Sequence, residues 1–247
     1  LMREFAAKSG QTKGQFYTPA EVSRVMAKVI GIGEDTRTRI SIYDPTCGSG
    51  SLLLRAKAEA NTNASVNGQE FISSTKGLAE MNMILHGVDT AVLHLGDTIN
   101  DPQHTEDGIS LQTFDYVVAN PPFSQKDWLK SAGANDRFGR WGGEIPLPPD
   151  KNGDFAFLLH IIKSMKVNGH GACILPHGVL FRSGTEQQIR KYLIERLNCI
   201  SGIIGLPSNL FYGTGIPACI FILDKSDVAT RRGIFFIDAK EGYRKDG

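Results

Sequence analysis

The sequence lacks the features that mark several large classes of protein. Its four cysteines are far apart and form no Cys-x-x-Cys pair: Cys47, Cys173, Cys199 and Cys219. Since no signal-peptide pattern is seen either, we expect reduced thiols in a cytoplasmic protein. The six histidines include no pair at the helical spacing of metal ligands. We therefore expect no metal site.

Long apolar runs and an excess of one charge are also missing. No apolar run approaches the ~20 residues of a membrane-spanning helix. Lys and Arg number 27 against 26 Asp and Glu, so the net charge does not draw the chain to nucleic acid, and DNA binding would need a local patch or a partner. The chain of 247 residues, 41% of them hydrophobic, is long enough for one large globular domain.

The most informative stretch is a strand that stops on Asn-Pro-Pro-Phe. Residues 116–119 are apolar and partly β-branched, which predicts a buried strand. Pro121 and Pro122 end it, because neither can donate a backbone hydrogen bond. The Asn120 amide oxygen and a nearby carbonyl can accept both hydrogens of an exocyclic amine, and Phe123 can stack on its ring. The alternative is an ordinary turn, where Asn and Pro are common.

A glycine-rich turn follows an earlier strand. Residues 40–43 predict the strand, residues 44–50 the turn (Asp-Pro-Thr-Cys-Gly-Ser-Gly), and a helix begins near Ser51. This order is typical of the first unit of nucleotide-binding α/β folds, because glycine lets the backbone approach a ligand. The spacing fits neither the dinucleotide motif nor the P-loop. Asp44 suits a cationic ammonium better than a phosphate.

Acidic residues follow the next two predicted strands. Glu70 ends the second strand, 20 residues after Gly50, where an acidic residue commonly binds ribose hydroxyls. It can equally be a solvated residue at a strand end. Asp97 follows the third strand and either accepts a hydrogen bond from a purine amine or caps a turn.

The amino-terminal motif and a long insertion complete the candidate site. Thr18, Pro19 and Glu21 predict a helix start with Thr18 as N-cap, and such a helix end attracts a carboxylate. Residues 124–152 are rich in Gly, Pro and charge, and they carry interleaved aromatic and basic side chains: Trp128, Trp141, Lys126, Lys130, Arg137 and Arg140. They are either a segment that binds an unstacked base or a mobile surface insertion.

The order of elements predicts an α/β fold with a doubly wound, mostly parallel sheet. Five strand–helix alternations precede two apolar strands at 199–206 and 216–223, which we expect to be partly antiparallel. Residues 234–237 can add an edge strand. Ligands of such sheets bind beyond the carboxyl ends of the strands, so the motifs that follow successive strands converge on one site.

These motifs resemble those of the S-adenosylmethionine-dependent adenine-N6 DNA methyltransferases, and within them the modification subunit of type I restriction-modification systems. The resemblance runs from about residue 14 to residue 224 and follows the γ-type motif order. It is carried by residues 15–19, 44–50, 69–70, 96–98, 120–123, 171–178 and 204–211. It implies a seven-stranded, Rossmann-like sheet of the class I methyltransferase type, with an antiparallel strand near the end.

The resemblance also implies a site for S-adenosylmethionine. Thr18 and its loop would hold the methionine part, with Asp44 near the ammonium. Glu70 would bind the ribose hydroxyls and Asp97 the cofactor adenine. The full set of expected cofactor-binding residues is Gln15, Phe16, Tyr17, Thr18, Pro19, Asp44, Pro45, Thr46, Cys47, Gly48, Ser49, Gly50, Ser51, Glu70, Asp97 and Thr98.

For the target base the resemblance implies direct, in-line methyl transfer. Asn120 and the Pro121 carbonyl would hold the N6 amine, and Phe123 would stack on an adenine flipped out of double-stranded DNA. The expected catalytic residues are Asn120, Pro121, Pro122 and Phe123. No metal and no nucleophilic cysteine is required.

We expect a flexible arm at 1–15, a catalytic domain at 16–238 with a long mobile loop at about 124–152, and a tail at 239–247. We expect the chain to be a fragment of a longer subunit. The family's preceding helical region and following target-recognition domain are not seen, so sequence choice is expected to rest with a specificity subunit and cleavage with a restriction subunit. The alternatives are a methyltransferase of the same fold acting on RNA guanine or protein glutamine, and a non-catalytic nucleotide-binding assembly module. An NAD-dependent oxidoreductase is disfavoured by the glycine spacing.

Overall fold

One mixed sheet organises the chain. The computed structural model describes residues 18–131, 133–211 and 215–241, and the statements below concern these residues. The strands of the large sheet are β1 (Arg39–Asp44), β2 (Asn63–Glu70), β3 (Val92–Leu95), β6 (Phe114–Ala119), β7 (Met165–Pro176), β8 (Ile200–Gly205), β9 (Ala218–Asp224) and β10 (Phe235–Asp238). Two short strands, β4 (Thr105–Glu106) and β5 (Ser110–Leu111), pair only with each other.

The helices lie between these strands. They are α1 (Ala20–Val29), α2 (Ser51–Glu59), α3 (Ser73–Leu85), α4 (Asp154–Lys163) and α5 (Thr185–Tyr192), which continues into a π-helical turn at Leu193–Leu197. Short 3₁₀ segments stand at Ile32–Glu34 and His177–Leu180. No helix among the described residues combines the length and the apolar character needed to cross a bilayer.

The strand order is β10-β8-β9-β7-β6-β1-β2-β3. From β1 the chain builds outward through β2 and β3, then returns to place β6 on the other side of β1. Within the large sheet, only β9 runs antiparallel to both of its neighbours, β7 and β8. The predicted doubly wound, mostly parallel sheet with an antiparallel strand near the end is confirmed. The seven expected strands are present, and the optional edge strand, β10, makes the sheet eight-stranded.

The central strand β6 shows why the sheet is covered on both faces. All six of its residues are buried, and successive side chains of a strand point to opposite faces. Tyr116 and Val118 therefore join the core beneath α1, α2 and α3, whereas Val117 and Ala119 join the core beneath α4 and α5. Each large apolar side chain buried in this way contributes about 1.5–3 kcal/mol.

One predicted boundary is wrong. The apolar pattern of residues 153–167 predicts a single helix with an apolar core face, but α4 ends at Lys163 and β7 begins at Met165. Backbone pairing explains the difference, because Met165 is already in register with Phe114 of β6 before the ladder shifts. The apolar residues expected in the core of α4, including Phe155, Leu158 and Ile161, are buried as predicted.

Candidate active site

A cavity of about 300 Å³ lies at the carboxyl edge of the sheet. Since β1, β2, β3 and β6 are parallel neighbours, the loops that follow them meet at that edge. The wall residues from these loops are Pro45, Thr46, Glu70, Phe71, Ile72, Asp97, Thr98, Ile99, Asn120 and Pro122. The expected convergence of motifs from successive strands is therefore present, and the volume suits a small ligand.

Several wall residues were missed by sequence reasoning. Phe71, Ile72, Ile99 and Phe157 add apolar surface to the cavity, which suits the faces of a planar ring. The first two directly follow Glu70 and Ile99 directly follows Thr98, so the adjacent motifs could have identified them. Phe157 comes from α4 and carries no such signal.

The glycine turn is built around two carboxylates. The Asp44 carboxylate is buried and accepts a hydrogen bond from the Thr46 backbone nitrogen at 2.9 Å. The Glu70 carboxylate accepts one from the Gly48 nitrogen at 3.0 Å. Gly50 has φ +76° at the start of α2, and a Cβ there would lie 2.6 Å from the Met83 side chain. The left-handed backbone favours glycine at that position.

Burial raises the pKa of both carboxyl groups. For Asp44, burial together with the nearby Glu70 charge raises the pKa to about 7 despite the hydrogen bonds from Thr46. For Glu70, burial outweighs the backbone hydrogen bonds that lower the pKa. Ser49 Oγ, in the same turn, is buried without a hydrogen-bond partner among the described residues. A cation beside such a carboxyl group would stabilise its ionised form.

Not every residue of the turn reaches the cavity. Pro45 and Thr46 line it. The other members of the predicted set in this turn are not part of the cavity wall: Asp44, Cys47, Gly48, Ser49, Gly50 and Ser51. Thr98 lines the cavity and also donates a hydrogen bond from its hydroxyl to the Pro45 carbonyl, which joins the loops after β1 and β3.

Asp97 caps a turn, which is one of its two predicted roles, and its contact with a purine amine stays a prediction. Its Oδ1 accepts hydrogen bonds from the backbone nitrogens of Ile99 at 3.0 Å and Asn100 at 3.1 Å, so it caps the turn after β3. The same residue lines the cavity. The cap fixes the carboxylate where a ligand can meet it.

The predicted N-cap at Thr18 is wrong. The helix α1 begins at Ala20 with Pro19 as its N-cap and no side-chain capping bond. The Thr18 hydroxyl is instead engaged by Asn120, whose Nδ2 donates to Thr18 Oγ1 at 3.1 Å. The amide oxygen, which can only accept hydrogen bonds, is not used in this contact. Gln15, Phe16 and Tyr17 lie outside the described residues.

The Asn-Pro-Pro-Phe turn spans two surroundings. Asn120 and Pro122 line the cavity, whereas Pro121 and Phe123 are not part of its wall. The half-buried Phe123 ring packs edge-on against Phe211, with 5.8 Å between ring centroids. Asn120 therefore lines the cavity, whereas the Phe123 ring lies outside the cavity wall.

The insertion at 124–152 contributes one wall of the cavity and a small core of its own. Trp128 and Trp141 pack edge-on at 5.3 Å in an apolar cluster with Ile99 and Phe157. Arg140 and Trp141 are each 1% exposed, so neither is available to an unstacked base. The basic residues that remain exposed are Lys126, Lys130, Arg137 and Lys151. Mobility of this segment stays a prediction.

Comparisons with known proteins agree with this geometry. The N-6 DNA Methylase family model matches residues 1–247. The type I restriction enzyme MpnII methylase subunit of Mycoplasma pneumoniae is 34% identical over all of this chain and 46% of its own length. The chain thus spans about half the length of this curated relative.

Two solved structures have the same fold. The type I restriction-modification methyltransferase subunit from Streptococcus thermophilus is 42% identical, with a TM-score of 0.88 over 100% of this chain and 52% of that one. A class I S-adenosylmethionine-dependent methyltransferase described as putative, from Listeria monocytogenes, is 18% identical, with a TM-score of 0.72 over 93% of this chain and 68% of that one. At that identity the second comparison supports the fold alone.

Proposed function

The chain belongs to the N-6 DNA methylase family, and we propose that it carries the site that transfers a methyl group from S-adenosylmethionine to N6 of an adenine in DNA. The single observation that supports this best is the Asn120 amide. Its nitrogen is held by Thr18, and it stands where the cavity meets the Asn-Pro-Pro-Phe turn. An acceptor fixed in that position is what transfer to an amine requires.

The cavity residues suit the cofactor. S-adenosylmethionine supplies an electrophilic methyl group on a sulfonium. Glu70 would accept hydrogen bonds from the ribose hydroxyls and Asp97 one from the adenine amine. Phe71 and Ile99 line the same cavity and would pack against the adenine ring. The buried Asp44 carboxylate, at the base of the glycine turn, suits the ammonium of the methionine part.

The Asn-Pro-Pro-Phe turn suits the acceptor amine. Adenine N6 is a poor nucleophile because its lone pair is delocalised into the ring. The Asn120 amide oxygen and the Pro121 carbonyl would accept its two hydrogens and stabilise the positive charge that develops on nitrogen. Holding that nitrogen in line with the methyl group supplies the orientation component of catalysis. Flipping the base costs a few kcal/mol, and stacking on Phe123 would offset part of this.

Cysteine chemistry does not fit the site. Burial, with the nearby charges of Asp44 and Glu70, raises the pKa of the Cys47 thiol well above its ordinary value. A neutral thiol is a weak nucleophile. Direct transfer to the amine therefore agrees with the local electrostatics.

At the level of the whole protein, we propose a modification subunit of a type I restriction-modification complex in the cytoplasm. The Mycoplasma pneumoniae and Streptococcus thermophilus proteins are named as type I methylase or methyltransferase subunits. Choice of the DNA site would belong to a specificity subunit and cleavage to a restriction subunit. Residues 16–238 would form the catalytic domain of this subunit.

The first test separates cofactor binding from transfer. In calorimetric titrations, Glu70→Ala should weaken S-adenosylmethionine binding, whereas Asn120→Ala should leave it nearly unchanged. In methylation assays of the assembled complex, Asn120→Ala should lower kcat by at least about a hundredfold, the scale found when a charge-stabilising group is removed. Glu80→Ala on α3 and Asn63→Ala at the exposed start of β2 are matched controls.

Product analysis then decides between the possible acceptors. N6-methyladenine in DNA supports the proposal, and methylated guanine in RNA or methylated glutamine in protein contradicts it. Full turnover by Asn120→Ala would remove the assigned role of the amide. A wild-type complex that binds cofactor and methylates nothing would indicate a binding module.

A further inference from the structure

Ser124, directly after Phe123, has a strained backbone. Its φ is +49°, in the left-handed region that L side chains rarely adopt. Such residues persist only when their surroundings hold them, and they concentrate at functional sites. The conformation at Ser124 sets the direction in which the chain leaves the Asn-Pro-Pro-Phe turn.

Asp154 holds Ser124 in this conformation. Its Oδ1 accepts a hydrogen bond from the Ser124 backbone nitrogen at 2.7 Å, and its Oδ2 accepts one from the Ser124 hydroxyl at 3.4 Å. Asp154 is the first residue of α4 and is 1% exposed. A carboxylate so deeply buried needs a charged partner.

Arg182 is that partner, and it contacts Ser124 as well. Its NH1 donates to Asp154 Oδ2 at 2.7 Å and to Glu186 Oε1 at 3.0 Å, and its NH2 donates to Ser124 Oγ at 3.2 Å. The guanidinium also lies against the backbone of Gly178, where an added Cβ would be 2.6 Å from it. Two acidic groups and a closely packed glycine thus fix the arginine.

We propose that Asp154 and Arg182 are positioning residues for methyl transfer, which hold Ser124 and thereby orient Phe123 toward the target base. This inference rests on the proposed function and assigns residues outside the motifs that carry it. Ser124, Asp154 and Arg182 are called the Ser124 anchor below. They form a charged link between the turn after β6, the start of α4 and the loop after β7.

The anchor acts mainly on the target base. Ser124, Asp154 and Arg182 are not part of the cavity wall, and neither is Phe123, whereas the flanking residues Pro122 and Gln125 line it. Weakening the anchor should therefore disturb the base more than the cofactor. A residue that merely supported the fold would instead affect both substrates in parallel.

The test uses the full-length subunit assembled with its specificity subunit and carrying Asp154→Asn. We expect kcat to fall by about ten- to a hundredfold, since small misplacements of reacting groups cost that much. The calorimetric Kd for S-adenosylmethionine should change much less, by about twofold, because none of the three anchor residues lines the cavity. DNA with 2-aminopurine at the target position should show a smaller fluorescence increase. Asp150→Asn, at an exposed position just before α4, is the matched control.

A rescue distinguishes positioning from general support. Glycine adopts positive φ at little cost, so Ser124→Gly in the Asp154→Asn background should recover part of the lost kcat. If Asp154→Asn does not fold, Arg182→Lys keeps the positive charge, loses the forked contacts and should show the same fall in kcat alone.

The contrary outcomes are separate for the two proposals. Wild-type kcat and wild-type fluorescence in both Asp154→Asn and Arg182→Lys would overturn the anchor while leaving the proposed function standing. So would an equal loss of cofactor affinity and kcat without rescue by Ser124→Gly. A wild-type complex that makes no N6-methyladenine would overturn the proposed function and the anchor with it.

Discussion

Two ion-paired arginines support the two halves of the site in different ways. Arg140 is almost fully enclosed: its side chain and that of Asp136 are each 1% exposed, and they meet at 2.8 Å. Arg182 is 25% exposed and is shared between Asp154 and Glu186. The first arginine lies behind the cavity wall. The second lies behind the Asn-Pro-Pro-Phe turn, which is called the target turn below.

The contacts of Arg140 show what it holds. Its guanidinium donates to the carbonyls of Thr98 at 3.3 Å and Ile99 at 2.7 Å, and both residues line the cavity. It also contacts His160 Nδ1 at 3.2 Å, where burial and the arginine charge lower the pKa of the imidazole well below its ordinary value. The neutral ring accepts that bond.

The comparison separates stability from positioning. If either Arg140 or Asp136 is lost, the remaining buried charge cannot reach water. This pair should therefore matter mainly for the stability of the fold and for the cavity wall. Arg182 is partly exposed, so its guanidinium can shift and still keep its charge near the buried Asp154 and Glu186 carboxylates. Such a shift should matter mainly for the geometry of the target turn. Changes at Arg140 and Gly178 would break or sharpen this contrast, and a change at Asp44 tests the cofactor side separately.

Replacing the enclosed arginine should give the largest effect. Arg140→Ala leaves the Asp136 carboxylate buried and unpaired, and we expect a loss of about 3–5 kcal/mol in the free energy of unfolding. Urea denaturation measures it. Arg137→Ala is the control, because that exposed arginine only covers the Phe138 ring at 4.5 Å and its loss should cost about 0.5–1 kcal/mol. Equal midpoints for the two variants would remove the contrast.

Asp44 is a buried carboxylate whose pKa is raised to about 7 by burial and the Glu70 charge. If a cationic group binds its ionised form, S-adenosylmethionine affinity should rise about tenfold between about pH 6 and pH 8. The folded state also holds a proton that the unfolded chain releases, so this group's contribution to stability decreases as pH rises from the ordinary carboxyl pKa to about 7.

Calorimetry between about pH 6 and pH 8 measures the affinity of the cofactor. Urea denaturation between about pH 4 and pH 7 measures the change in stability. Asp44→Asn should flatten both, and Asp101→Asn, at an exposed position on the loop after β3, should preserve them. A cofactor affinity that does not change with pH would mean that Asp44 does not meet the cation.

The change with the smallest expected effect displaces the Arg182 guanidinium without replacing the residue. Gly178→Ala would place a Cβ 2.6 Å from the guanidinium and should displace it from Asp154. We expect a stability loss of about 1 kcal/mol together with a several-fold lower kcat. Gly77→Ala in α3, where a Cβ meets nothing within 4 Å, should be neutral or stabilise by up to about 1 kcal/mol. A stability loss as large as that of Arg140→Ala would show that Arg182 is equally indispensable to the fold.

Much of the fold was predictable because its signals are local. Apolar runs such as residues 199–206 and 216–223 identify strands. Turn residues mark where other strands end: Pro121 and Pro122 after β6, and the glycine turn at 44–50 after β1. The parallel sheet then follows from helices placed between strands, and its carboxyl edge collects the loops. The residues in those loops that line the cavity, such as Thr46, Glu70 and Asp97, were found in this way.

The errors and omissions involve partners that are distant in sequence. Thr18 has the local pattern of an N-cap, but its hydroxyl is bonded to Asn120, which lies 102 positions away. Arg140 looks like a surface charge in a polar insertion, yet it is buried against the carbonyls of Thr98 and Ile99, 42 and 41 positions away. Phe157 reads as a core residue of α4 and also forms part of the cavity wall.

The sequence by itself determined the order of strands and helices along the chain, the motifs, and the chemistry that each motif can perform. Only the tertiary structure decided which side chains share an environment, because hydrogen bonds and ion pairs depend on three-dimensional proximity rather than on local pattern. Ser124 and Arg182, 58 positions apart, meet at 3.2 Å, since the turn after β6 and the loop after β7 follow neighbouring parallel strands. That meeting is what supports the target turn.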